Sequence, residues 1–202
     1  AQLESVMNEA AIYAMREKAE RISQKHLSQA IDKVMMGEQT DKETTQEERK
    51  RVAVHELGHA IVAEVLRPGT VSQVSLRGRG PALGYVRHNS TQDRYLYTKR
   101  HIEEQIMIAL GGAAAEEIYY GERSTGSKND FEQAMHLVRM MIEAGLSSLG
   151  IVHEKMLTKE DWMNENKKIL NRLFEKTRTL LENHIEVCNR GLDILTKEEV
   201  LS

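Results

Sequence analysis

The stretch TQEERKRVAVHELGHAIVAEVL, Thr45 to Leu66, decides how this chain reads. Thr45 with Glu48 three positions on is a capping-box signature, in which each side chain satisfies a free backbone N–H of a first helical turn. A helix is therefore expected from Thr45 to about Leu66, stopped by Pro68-Gly69. Val52, Ala53 and Val54 before HELGH, and Ala60, Ile61, Val62 and Ala63 after it, embed it in apolar surface. Such flanks keep a polar site dry and its side chains rigid.

Upstream, residues 1–36 read as helical material, with Leu3, Val6, Met7, Ala10, Ala11 and Ala14 at helical spacing and a second short helix from about Ser28 to Met36, ended by Gly37. From Gly37 to Arg51 the chain is polar and charged with no apolar residue, the composition of a linker and a solvated first turn. Domain boundaries follow at 1–37, a linker at 38–47, and a main domain at 48–202. Downstream, Val71 to Leu76 and Leu83 to His88 flank the glycine-rich RGRGPALG and predict a small two-strand element. A helix from about Thr98 to Tyr120 contains Gly111-Gly112, each costing about 1 kcal/mol relative to Ala, so close packing of another helix is the expected compensation. After a Ser/Thr/Gly loop at 124–127, helices are expected from about Asn129 to Ala144 and over roughly 160–189, the latter with Ile169, Leu173, Leu180, His184 and Val187 in its stripe. Two prolines and abundant Ala, Leu, Met, Glu, Lys and Gln point to a mainly α fold with a small β element.

The 202 residues, 29% charged and 40% hydrophobic, suit a folded globular protein rather than a disordered one. A net charge of −3 argues against nucleic acid or an anionic membrane as electrostatic partner. Cys188 is the only cysteine, so no intrachain disulfide forms and a reducing compartment is expected. No apolar run reaches the roughly 18 residues of a membrane span, so the chain as given is expected to be soluble.

His55 and His59 stand four apart on the expected helix, so their rings leave one face about a turn apart and can reach one tetrahedral Zn²⁺. Glu56 sits beside them. In this pattern zinc lowers the pKa of bound water to about 7 and polarises the scissile carbonyl, while the glutamate moves the water's proton to the leaving amine. Peptide hydrolysis is the chemistry implied. A third protein ligand is needed, and Leu66 stands where a nearby third histidine would be. Candidates are Glu116, Glu117 and Asp130. The first two also read as a solvated helix end, and Asp130 as a first-turn charge or a capping partner of Ser127.

Several blocks together resemble the FtsH family of membrane-anchored, ATP-dependent zinc metalloproteases. NEAAIYAMREK and AIDKVMMG resemble the end of that family's AAA lid, VAVHELGHAIVA its peptidase motif helix, LRGRGPALGYV the strand and loop beside its cleft, and GGAAAEEIYYGERSTGSKNDFEQA its downstream block. The resemblance implies His55, His59 and Asp130 as ligands of one zinc, Glu56 as catalytic base, and Glu117 as the fallback ligand. It makes 1–37 the end of an AAA lid and 48–202 a helical zinc metallopeptidase domain. It further implies a homo-hexamer, unfolded protein or peptide substrates, and a parent protein anchored in a membrane with this domain in the cytoplasm, matrix or stroma. ATP would act only through an AAA ATPase module, because no GxxxxGK[ST] loop is present here. Substrate could add as a strand beside Leu83 to His88. Ala113, Leu57 and Ala144 depart from the family's usual arginine, small residue and tryptophan. The alternative is a catalytically inactive zinc-binding assembly module, against which an intact Glu56 argues. A deformylase-like amidase would want a cysteine upstream of HELGH, and none exists.

Overall fold

The computed structural model describes residues 2–37, 45–78, 83–89 and 96–201. Most of the expected linker, 38–44, and part of the glycine-rich loop, 79–82, lie outside them. The chain divides into two compact units, one of residues 1–44 and 77–85, the other of residues 45–76 and 86–202.

In the first unit α1 (Gln2–Arg16) packs against α2 (Gln24–Met36), burying Ala10, Ala14 and Ala30. Helix α2 begins four residues before the expected Ser28. Its N-cap is Ser23, and the reciprocal partner is His26, whose Nδ1 accepts from the Ser23 N–H at 3.1 Å. A histidine in place of the usual Glu or Gln hides this box from pattern reading. In the same unit the Tyr85 hydroxyl donates to buried Asp32 at 3.1 Å.

The second unit is organised around α3 (Gln46–Leu66), capped by the Thr45–Glu48 box as expected. It crosses α4 (Lys99–Tyr120) more extensively than any other pair of elements meets. The glycines explain how: a Cβ on Gly58 would lie 2.3 Å from the Gly111 carbonyl oxygen, and one on Gly111 would lie 2.7 Å from the Gly58 oxygen. Backbones touch there. Helix α4 ends at left-handed Gly121, and α5 (Lys128–Glu143) follows a short turn at Thr125–Ser127.

The single helix expected over 160–189 is two: α6 (Lys159–Asn183) and α7 (Ile185–Glu198), separated at His184. No Gly or Pro marks the break. Its cause is tertiary: α6 lies on α4 and α5 through Ile169, Leu173, Thr177 and Leu181, whereas α7 turns onto α3 and the sheet through Cys188, Leu192 and Leu195. Leu181 and Cys188 are therefore buried, while Val187, expected in the stripe, is 45% exposed. The β element also differs from expectation. The strands β1 (Val71–Ser75) and β2 (Tyr85–His88) are joined by β3 (Val200–Leu201) in the order β2-β1-β3. Strand β3 runs antiparallel to β1, with Val74 opposite Leu201 and Ser75 opposite Val200. A two-residue strand more than a hundred positions away carries no period-2 signal of its own. The fold is mainly α with a small sheet.

Candidate metal centre

Helix α3 supplies His55, Glu56 and His59, and the first turn of α5 supplies Asp130. Among the described residues His55, His59 and Asp130 form a group able to hold a metal ion, and Glu117 is not part of it. The His55 and His59 Nε2 atoms are 3.0 Å apart, and Asp130 Oδ2 lies 3.1 Å from the first and 3.5 Å from the second. Zinc bonds of about 2.0–2.1 Å in a tetrahedron place donor atoms about 3.3 Å apart. The spacing fits.

The ring tautomers fit too. His59 Nδ1 is 2.7 Å from the Ile108 carbonyl oxygen, which can only accept, so that nitrogen carries a proton. His55 Nδ1 is 2.8 Å from Glu116 Oε1 and donates to it for the same reason. In neutral rings both Nε2 lone pairs then face each other and a carboxylate. Only a cation or an added proton reconciles such a convergence. Burial lowers the pKa of His55, but the carboxylates of Asp130 and Glu116, with the field of Glu56, outweigh it and lift the value to about 9. Burial likewise acts to raise Asp130, yet His55 and His59 hold it well below the usual carboxylate range.

Glu56 makes no hydrogen bond or ion pair among the described residues. Burial pushes its pKa up, against the opposing charges of His59 and His55 and with the help of Asp130. A raised carboxylate pKa suits a group that accepts a proton and releases it again.

Glu116 is not the solvated helix end its position suggested: its side chain is 1% exposed. Oε1 accepts from His55 Nδ1 and from Ser124 Oγ at 3.0 Å, and Oε2 from the Ser124 N–H at 2.9 Å and Arg51 at 3.2 Å. Burial would raise its pKa, but His55, Ser124 and Arg51 keep it below the ordinary value. Glu117, one position on, turns outward to Arg123 and Arg178. One signal in the sequence was available: Glu116 is four residues after Gly112 and shares its helix face. A Cβ on Gly112 would stand 2.5 Å from the His55 ring, so that face is where the imidazole lies. Asp130 is the acidic residue of the first turn of α5, but Ser127 makes no side-chain capping bond, so the two do not form a capping pair.

Of the departures from the family pattern, Ala113 is fully buried, and Leu57 is buried behind the motif with its methyl groups close against Gly191. No described helix is long and apolar enough to cross a membrane.

The family model of peptidase family M41 matches residues 42–190. The ATP-dependent zinc metalloprotease FtsH of Syntrophotalea carbinolica is 33% identical over the whole chain, which covers 34% of that protein. FtsH 2 of a Thermoanaerobacter species is 33% identical over 99% of the chain and 40% of its own length. FtsH 1 of Sphaerobacter thermophilus is 41% identical over 73% of the chain and 23% of its own length. The chain thus spans between a third and two fifths of the relatives it matches end to end. A motif helix, a distant aspartate brought to it, and the match of 42–190 all agree, and the chain belongs to peptidase family M41.

Proposed function

We propose that this chain is the zinc endopeptidase part of an ATP-dependent protease, with His55, His59 and Asp130 holding one zinc and Glu56 as general base. The observation that carries the reading is the convergence of two Nε2 atoms and a carboxylate oxygen within 3.5 Å, next to the half-buried Glu56. Zinc bound there supplies a Lewis acid that activates water and polarises the scissile carbonyl. Glu56 takes the proton of the attacking water and hands it to the leaving amine. Glu116 and the Ile108 carbonyl fix the two rings, so that neither must reorient during turnover. Apolar residues of α3 and α4 pack around the motif, while His55, His59 and Asp130 keep 12%, 13% and 22% of their side chains exposed to water and substrate.

Substrate would arrive extended. Among the described residues strand β2 stands at one end of the strand order β2-β1-β3, so an unfolded segment can add beside it, gaining main-chain hydrogen bonds with little demand on sequence. A proline at Val86 that leaves cleavage unchanged would count against this mode. The FtsH names of the relatives support an ATPase module elsewhere in the protein that unfolds substrate. In this reading residues 1–37 are the end of its lid, 38–47 a linker and 48–202 the peptidase, working as a hexamer from a membrane-anchored parent in the cytoplasm, matrix or stroma.

The test is cleavage of a labelled unstructured protein by zinc-loaded wild type and Glu56→Gln, in this chain and within the longer protein. Wild type should cleave at least about a hundredfold faster, the usual scale of general acid–base catalysis. Equal rates at one zinc per chain would instead identify an inactive assembly module.

A further inference from the structure

Glu116 joins three parts of the second unit at one buried carboxylate. It belongs to α4, it accepts from His55 on α3, and through Ser124 it holds the connection that leads into α5 and Asp130. All four bonds are 2.8–3.2 Å. Two of its donors lie outside the metal-holding group. Arg51 is one helical turn before His55 on α3, and its guanidinium lies over the Tyr120 ring, 4.2 Å to the centroid. Ser124 donates twice to Glu116, from its N–H and its hydroxyl, and its Oγ also accepts from the Gly126 N–H at 3.2 Å. A short turn then carries the backbone from Ser124 into α5.

We propose that Arg51 and Ser124 are positioning residues of the metal site that act through Glu116: Arg51 fixes the carboxylate that sets the ring orientation and tautomer of His55, and Ser124 clasps to the same carboxylate the backbone that presents Asp130. The proposal rests on the reading of His55, His59 and Asp130 as metal ligands. A carboxylate with four donors in a dry setting neither rotates nor donates, so the His55 ring it faces keeps its proton on Nδ1 and its lone pair on Nε2. Remove Arg51 and Oε2 keeps only the Ser124 N–H. The carboxylate can then rotate, and His55 gains freedom to turn or to change tautomer. Remove the Ser124 hydroxyl and Oε1 loses its second donor, while the turn entering α5 loses a side-chain anchor. Arg51 also meets Glu122 at 3.5 Å, but that carboxylate is 75% exposed and does not touch the site.

The experiment compares wild type, Arg51→Met, Arg51→Lys and Ser124→Ala. The zinc Kd is measured by competition with a chromophoric chelator, the tautomer of His55 from ring ¹⁵N shifts in the metal-free protein above the His55 pKa of about 9, where the ring is neutral, and folding from metal-free melting curves. Arg51→Met and Ser124→Ala should each weaken zinc about tenfold, the lower end of what loss of an outer hydrogen-bond partner costs. Arg51→Lys should recover most of the affinity by restoring a charged donor. The ¹⁵N spectrum of Arg51→Met should show His55 no longer confined to the Nδ1–H form. A merely structural role for Arg51 would lower the melting temperature and leave the ¹⁵N pattern as in wild type. Zinc constants of folded Arg51→Met and Ser124→Ala within twofold of wild type overturn the proposal. If Arg51→Met does not fold, Ser124→Ala and the failure or success of Arg51→Lys still decide it. A wild type that binds no zinc would instead overturn the metal-site reading beneath it.

Discussion

Replacing Gly112 by Ala separates the requirements of the metal site from those of the fold. Gly112 is inside α4, where Ala is intrinsically better by about 1 kcal/mol. The added Cβ, however, would lie 2.5 Å from His55 Cε1 and Nε2 and 2.6 Å from Nδ1. Ordinary carbon contacts begin near 3.5 Å, so the ring must retreat by about 1 Å. It can swing away without moving backbone, but only by leaving the 2.8 Å bond to Glu116 and the point where His59 and Asp130 converge. Overpacking costs about 1–3 kcal/mol and the helix gain offsets part of it, so the metal-free protein should lose no more than about 2 kcal/mol in urea unfolding. Metal affinity should fall about 10- to 100-fold, or roughly 1.4–2.8 kcal/mol, as when an outer-shell partner is lost. Chelator competition measures it. An affinity within twofold of wild type would refute the claim that Gly112 exists to clear space for His55.

Gly58→Ala should act on the fold instead. Its Cβ would meet the Gly111 carbonyl at 2.3 Å and Ala115 Cβ at 2.7 Å, so α3 and α4 must separate, at a cost of about 3 kcal/mol; an unchanged urea midpoint would contradict this. Metal binding should depend on pH in one direction. With the His55 pKa of the metal-free site at about 9, a proton occupies it at neutral pH and must leave as metal enters. Apparent affinity should rise about tenfold per unit between about pH 6 and 8 and level off above the pKa; a constant Kd across that window would count against the site. Glu165, 5% exposed, accepts from the Ser148 N–H and hydroxyl and so anchors the α5–α6 connection. Glu165→Ala should cost about 2 kcal/mol by leaving those donors unpaired, with unchanged zinc affinity.

What could be read from the sequence was local. The Thr45–Glu48 box and Pro68-Gly69 bound α3 within itself, and the i, i+4 spacing of His55 and His59 needs nothing beyond that helix. Asp130 stood among three candidates and was preferred to Glu116 and Glu117 only through family resemblance, because its carboxylate meets His55 across 75 residues of chain. Gly111-Gly112 announced a close helix crossing, and Gly58 proved to be the other side of it. Glu116 was misread because a carboxylate near a helix end is usually solvated; its burial depends on α3 and the Ser124 turn closing over it. The break at His184 and the strand Val200–Leu201 were invisible for a related reason. Each is set by which neighbour an element packs on, and the local pattern runs through the first and is too short for the second.

The proposed chemistry requires one zinc held by His55, His59 and Asp130. Zinc-edge X-ray absorption on the reconstituted chain tests it most directly, with metal content measured on the same sample. One zinc per chain is expected, with two imidazoles and at least one carboxylate oxygen at about 2.0–2.1 Å and no sulfur. A spectrum with fewer than two imidazoles, or with sulfur from Cys188 in the coordination sphere, would contradict it.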